Sequence, residues 1–309
     1  MAACFSIRGY AMNIKQPRLI AFAVLLLIMA LFVSACSDPQ DVTGATPTPE
    51  ATPNATATPE ATATPDPKNT ITVDGYRCEL AFEDEFEGDD LNFGLWNYCP
   101  AWERQDLGNR WDWHQVKVED GKLKLSMSCE DGVYKSGAIR TINTYKQQYG
   151  YFEICCQLNQ IPGYWCAFWL YGTGVSNANG SAEDGTEIDI FESPYYNRSE
   201  IGHAIHYDDD SWQGGHSIYS KSTHTYVEDI YSGYHTFSLL WTPDKYVFYI
   251  DGETVWTLTE EDIPGGICQV PLYMKVTVET GSWTGLPDAD ALPDAFLVEY
   301  VRAYTLIQE

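Results

Sequence analysis

Three carboxylates crowd into one short segment, Gly185-Thr186-Glu187-Ile188-Asp189-Ile190-Phe191-Glu192. On a β-strand successive side chains point to opposite faces, so Glu187 and Asp189 share one face while Ile188 and Ile190 turn to the other. Glu192 then has the wrong parity. One extra residue, a β-bulge near Phe191, would return it to the face of the other two acids. Carboxyls packed this closely raise one another's pKa, so that an outer Glu stays protonated while its partner stays ionised. That pairing is the equipment for proton transfer and for attack by a carboxylate. A half-exposed strand whose acids merely face water has the same bare spacing, which therefore does not decide the matter alone.

The elements that must position these acids read as strands. Lys122-Leu123-Lys124-Leu125-Ser126-Met127-Ser128 alternates polar and apolar residues, and Tyr246 to Ile250 and Glu253 to Leu258 flank Asp251-Gly252, a two-residue hairpin signal. No long stretch holds a helical period. Short segments separated by Gly, Pro, Asp and Asn across residues 70–309 predict one all-β, two-sheet sandwich without internal repeats.

The chain has 309 residues, with 18 Lys plus Arg against 44 Asp plus Glu and a formal net charge of −26. Nucleic-acid binding needs clustered cations that release counterions, so this balance argues against it. With 44% apolar and 14% aromatic residues, the chain is too rich in core formers to be disordered throughout. Residues 1–35 read as an export signal: Lys15 and Arg18 precede the apolar run Leu19 to Val33, and Met12 would serve equally as initiator. The run ends Val33-Ser34-Ala35-Cys36, which resembles the lipobox of bacterial lipoproteins. That resemblance implies cleavage before Cys36, a lipid on its thiol, and tethering at the extracellular face of a membrane. Residues 36–69, rich in Thr, Pro and Ala, form a semi-rigid spacer. Residues 70–309 are the folded domain and hold nearly all of the acidity.

Seven cysteines fall in that domain: Cys78, Cys99, Cys129, Cys155, Cys156, Cys166 and Cys268. The odd number leaves at least one unpaired within the chain. No metal-ligand spacing occurs among them, so most are expected to be small buried apolar residues, with room for one or two disulfides. Cys155 and Cys156, adjacent on a strand, should face opposite ways.

The Glu187, Asp189, Glu192 pattern (ExDxxE) resembles the signature of glycoside hydrolase family 16, in its laminarinase-like branch with the bulged strand. Flanking segments agree in order: Phe82-Glu83-Asp84-Glu85-Phe86, Ser136-Gly137-Ala138-Ile139-Arg140, Tyr149-Gly150-Tyr151-Phe152-Glu153, Gly163-Tyr164-Trp165-Cys166-Ala167-Phe168-Trp169, His235-Thr236-Phe237 with Trp241-Thr242-Pro243, and Val298-Glu299-Tyr300-Val301-Arg302-Ala303-Tyr304. The resemblance covers about residues 76–304. It implies a concanavalin A-like jelly-roll sandwich with a concave substrate cleft, and retaining endo-hydrolysis of a β-linked polysaccharide without a cofactor. By the same resemblance Glu187 is the nucleophile, Glu192 the acid/base, and Asp189 the residue that tunes the charge between them. A retaining site requires carboxyl groups about 5–5.5 Å apart, which same-face positions on a bulged strand can supply.

Flat aromatic faces stack on sugar rings, and Trp165, Trp111, Trp113, Trp102 and Trp283 are candidates, of which Trp165 and Trp283 fall in family motifs. His206 matches a cleft histidine following the catalytic strand, whereas His203 lies on the opposite strand face. Arg140 and Asn109 are candidate hydroxyl-binding groups. Two departures from the family bear on substrate. Asn177 to Thr186 lacks the usual Trp-Pro segment, and Gly108-Asn109-Arg110-Trp111-Asp112-Trp113 replaces the usual acidic and Gln residues. β-1,3-Glucan or mixed-linkage β-1,3/1,4-glucan is the first expectation, with an endo-β-galactosidase or agarase-like activity as the alternative. Highly sulfated polymers are disfavoured by repulsion from so acidic a domain. Asp208-Asp209-Asp210 reads as a solvated loop that could also hold a structural calcium ion. A non-catalytic, surface glycan-binding lipoprotein would use the same sandwich, but it has no use for three crowded carboxylates. A monomer is expected.

Overall fold

Along Lys122–Glu130 burial follows the sequence alternation: Leu123, Leu125 and Met127 are enclosed while the Lys and Ser between them are half-exposed. The Asp251-Gly252 signal also forms its turn, joining Lys245–Ile250 to Glu253–Thr259. Both turn residues have positive φ, 50° and 78°, as a primed turn matched to strand twist requires. The computed structural model describes residues 67–101, 108–194, 199–209 and 217–307. It assembles these strands into the expected all-β jelly-roll sandwich of two sheets.

The first sheet has seven strands in the order Ser217–Tyr226, Glu200–Asp209, Glu187–Ser193, Trp165–Tyr171, Tyr273–Glu279, Ala138–Arg140 and Asn97–Tyr98. The second has eleven and centres on Ala295–Leu306. That strand pairs with Gly150–Gln157 on one edge, and on the other with Lys122–Glu130 and then Tyr76–Asp84. Arg302 lies across from Glu83, and its guanidinium reaches Glu83 at 3.3 Å and Glu85 at 2.5 Å, tying the two ends of the domain together.

Between the sheets lies one apolar core. Phe191 of the first sheet stacks on Phe237 of the second with centroids 4.1 Å apart. Ile188, Ile190, Phe168, Met274 and Val276 are fully enclosed beside them. Each such side chain contributes about 1.5–3 kcal/mol by leaving water. The core-facing half of every central strand is thereby fixed, and the other half must line the opposite, open face.

All seven domain cysteines are free thiols, six of them buried and Cys129 half-buried. No disulfide forms among the described residues. Cys156 joins the main core, while Cys155 lies on the outer face with its Sγ 3.4 Å from Glu299 Oε2, so the adjacent pair does face opposite ways. One expectation is corrected. Asp208 and Asp209 continue the strand Glu200–Asp209, opposite Ile218 and Ser217, so they are not a solvated loop. The backbone ladder outweighs the poor strand propensity of Asp. Asp210, part of the suggested calcium site, lies outside the described residues, as do the signal, residues 36–66 of the spacer with Cys36, and Trp102; the spacer's last residues, Pro67–Asn69, form a 3₁₀ turn with Lys68 paired to Glu83 at 2.8 Å.

Candidate active site

The carboxylate strand Glu187–Ser193 enters the sheet from a tight crossing of backbones. A Cβ on Gly185 would fall 2.5 Å from the carbonyl carbon of Gly174, so only glycine fits there and the position of Glu187 is set. Along the strand, Asp189 lies opposite Trp169 and Phe191 opposite Phe168, which leaves Ile190 as the unpaired extra residue. The register also slips on the other edge, between the Asp189–Ala204 and Glu192–Gly202 pairs. Ile190 and Phe191 are both sunk in the core. The bulge therefore restores Glu192 to the open face, where Glu187, Asp189 and Glu192 line one cleft of about 430 Å³.

A core histidine holds that bulge. His203, fully buried opposite the slip, donates from Nδ1 to the Ile190 carbonyl at 2.7 Å. Its Nε2 has no hydrogen-bond partner, and burial pushes its pKa down to about 4, so the ring stays neutral.

Around the acids, Trp165 Nε1 donates to Glu192 Oε1 at 2.8 Å. His206 lies opposite Glu187, with Nε2 3.2 Å from Asp189 Oδ2 and Nδ1 2.7 Å from Ser220 Oγ. Burial, and then the charge of Asp189, pushes Glu187 up to about 8. Burial pushes Asp189 up to about 7. Glu192 rises well above the carboxylate range, again by burial first and Asp189 second. His206 draws both glutamates back down, as do Lys275 for Glu187 and the Trp165 N–H for Glu192. Of the two glutamates Glu187 is the less strongly raised, so it is the one that ionises first, with Glu192 keeping its proton beside it. One ligand atom each from Glu187, Asp189 and His206 lies within 4.8 Å of the others. Those atoms could also hold a cation, at the expense of a free carboxylate.

Trp165, Arg140 and Trp111 line the cleft with the acids. Trp283 stands at its edge, ring edge against Trp165 at 4.9 Å and 38% exposed. Two expected ligands are elsewhere. Asn109 is fully buried, its amide donating to Ser136 Oγ at 3.2 Å, because Arg110–Trp111 beside it pairs with Val133–Ser136. Trp113 is 55% exposed on a short 3₁₀ turn, stacked on His114. It does not line the cleft.

The sequence model of glycosyl hydrolases family 16 matches residues 103–302. The chain belongs to glycosyl hydrolases family 16. Glucan endo-1,3-beta-glucosidase A1 of Niallia circulans is 24% identical over 268 residues, covering 73% of this chain and 37% of that protein. Keratan-sulfate endo-1,4-beta-galactosidase of Sphingobacterium multivorum is 26% identical over 257 residues, covering 77% of this chain and 58% of that protein. The chain thus spans between about a third and three fifths of these two relatives. The endo-beta-1,3-glucanase structure from Pyrococcus furiosus superposes with a TM-score of 0.64 at 22% identity, over 78% of this chain and 99% of that one. That likeness is one of fold.

Within this family 16 domain, sequence reasoning missed Trp169, Tyr171, Lys275, Thr277 and Glu279, which also line the cleft. The signal was present in Tyr273-Met274-Lys275-Val276-Thr277-Val278-Glu279, a strict alternation with Met274, Val276 and Val278 in the core. Parity puts His203 on the core face, as found, but its bond to Ile190 depends on a neighbouring strand.

Proposed function

We propose that the chain is an endo-acting glycosidase that cleaves internal β-linkages of a polysaccharide with retention of configuration. Glu187 attacks the anomeric carbon, and Glu192 protonates the leaving oxygen and then deprotonates water. Asp189 sits between them and sets their charge. The observation that carries this reading is the bulge at Ile190, which brings all three carboxyls to the cleft face with Glu192 held by the Trp165 N–H. Retention rather than inversion is favoured because an inverting pair stands about 6.5–9.5 Å apart, leaving room for a water. Here acids two and five positions apart on one bulged strand suit direct attack. A glycan-binding protein without catalysis would gain nothing from burying three acids at mutual cost.

β-1,3-Glucan or mixed-linkage β-1,3/1,4-glucan is the first substrate class, supported by the glucanase relative. A β-galactan is the second, supported by the galactosidase relative and by the absence of a Trp-Pro segment between Asn177 and Thr186. The signal and spacer, with lipid on Cys36, would hold the domain off the outer surface of a membrane, where long polymers can approach. Cys36→Ala should release the protein from the membrane fraction. Proton NMR of the earliest product tests the reaction: the β anomer should accumulate before mutarotation, and an initial α anomer would exclude the roles assigned to Glu187 and Glu192.

A further inference from the structure

Trp113 has the flat ring of a sugar-stacking residue but stands outside the cleft, 55% exposed, so a large apolar ring is left in water. It is not alone there. Its ring lies 6.0 Å from that of half-buried Tyr98, the two planes 38° apart. Phe93, 57% exposed, stands edge-on to Tyr98 at 5.3 Å. Scattered exposed aromatic residues need no explanation, whereas a contiguous group of them marks a binding surface.

The local structure holds these rings in place. Leu91 and Trp96 are sunk in the core on either side of Phe93, and the turn between them closes where the Leu95 and Trp96 N–H groups donate to the Asn92 carbonyl at 3.0 and 2.8 Å. Trp113 stacks on the His114 ring with centroids 3.6 Å apart, and Asp112 Oδ1 fixes that ring by accepting from its Nδ1 at 2.7 Å. Rings already ordered lose little conformational freedom when a ligand arrives. The surface also adjoins the cleft. Asn97–Tyr98 is the edge strand beside Ala138–Arg140, with Asn97 opposite Arg140. Pro100, Trp111 and Arg140 line that end of the cleft, and Trp113 follows Trp111 by two residues, a reach of at most about 7 Å.

We propose that Phe93, Tyr98 and Trp113 form a stacking platform outside the cleft, which holds the polysaccharide where it leaves the cleft past Trp111. This rests on the glycosidase reading above and adds to it a second site of attachment. The ligand is a neutral β-linked glycan: the apolar faces of its sugar rings cover the aromatic rings, and a net charge of −26 repels polyanions. The platform touches no reacting atom. It grips a polymer already lying in the cleft, and two attachments on one chain bind more tightly than either alone. A short oligosaccharide fills the cleft without reaching the platform.

The test compares the full-length protein with a variant carrying both Phe93→Ala and Trp113→Ala, each checked for folding by thermal denaturation. The substrates are a β-1,3-glucan, a mixed-linkage β-glucan and a neutral β-galactan, each beside short oligosaccharides of the same linkage. On the polymer that is cleaved, the ratio of kcat/KM for polymer to that for oligosaccharide should fall about 3- to 10-fold in the variant, through KM. Protein carrying Glu187→Gln should be retarded by that polymer in a native gel, and less so when it also carries the two alanines. An unchanged ratio or unchanged retardation overturns the platform and leaves the glycosidase reading intact. An equal loss on polymer and oligosaccharide in the folded variant overturns it too, since the rings would then act on the cleft itself. A wild-type dimer that the variant converts to a monomer, with glycan binding unaltered, assigns the surface to a second copy of the chain and overturns it likewise. Absence of cleavage of every polymer removes the glycosidase reading; retardation lost with the two alanines then upholds the platform, and any other gel result overturns it.

Discussion

The cleft floor has two halves divided by the strand Trp165–Tyr171. On one side Glu187, Asp189 and Glu192 stand together; on the other, Lys275 and Arg140 stand with Glu279. Elsewhere the domain intersperses its charges in pairs. In the acid half it groups like charges instead, which costs stability there. The acid half is distorted to achieve this, by a bulge that a core histidine holds. The cation half needs no distortion, because plain alternation already points Lys275 to the cleft. The same end, charged side chains on the cleft face, is reached once by breaking the strand period and once by obeying it.

The largest effect should come from the acid half. Glu187→Gln should abolish turnover on every substrate. Glu192→Ala should lower polysaccharide turnover by about 10²–10⁴-fold, the usual worth of a general acid, and azide should restore activity on substrates with good leaving groups. Wild-type turnover in Glu192→Ala would erase the distinction between the halves.

The bulge should matter next. His203→Leu removes the donor to the Ile190 carbonyl and should cost about 1–3 kcal/mol in thermal denaturation. It should also lower kcat about tenfold with little change in KM, since Glu192 would be misplaced while the sugar sites remain. Restoration of kcat in His203→Gln, which can donate to the same carbonyl, would separate positioning from mere loss of stability.

A smaller change is expected from Trp165→Phe. The indole N–H favours the ionised form of Glu192, so its loss raises that pKa further. The acid then keeps its proton to higher pH, and the alkaline limb of kcat/KM should move upward. A limb that moves down would reassign the proton donor.

The smallest effect is on stability. The folded Glu187 carboxyl sits at about 8 against an ordinary value of 4.5. Between those pH values the folded protein binds a proton that the unfolded chain releases, so stability falls as pH rises. Glu187→Gln should therefore melt several degrees higher than wild type at pH 8, at about 2–4 °C for each kcal/mol regained in a domain of this size. The gain should vanish below about pH 4.5, where wild-type Glu187 is protonated in both states. An equal gain at all pH values would mean that crowding is not its source.

Much of this protein is written locally. The alternation at Lys122 to Ser128, the Asp251-Gly252 turn and the need for a bulge before Glu192 all follow from the period of two, which any short segment displays. The sandwich follows too, since such strands must bury one face against another sheet. Parity assigns a residue to a face, however, without saying what lies across the strand. Their places beside Trp111 suggest cleft positions for Asn109 and Trp113, yet one is sealed under Ser136 and the other sits on an exposed turn. Lys275 and Arg140 are far apart in sequence and become neighbours only because their strands pair. His203 reaches Ile190 only across the slip in register. The order of strands in the sheet is decided by packing over the whole domain, and that order determined which charges meet in the cleft.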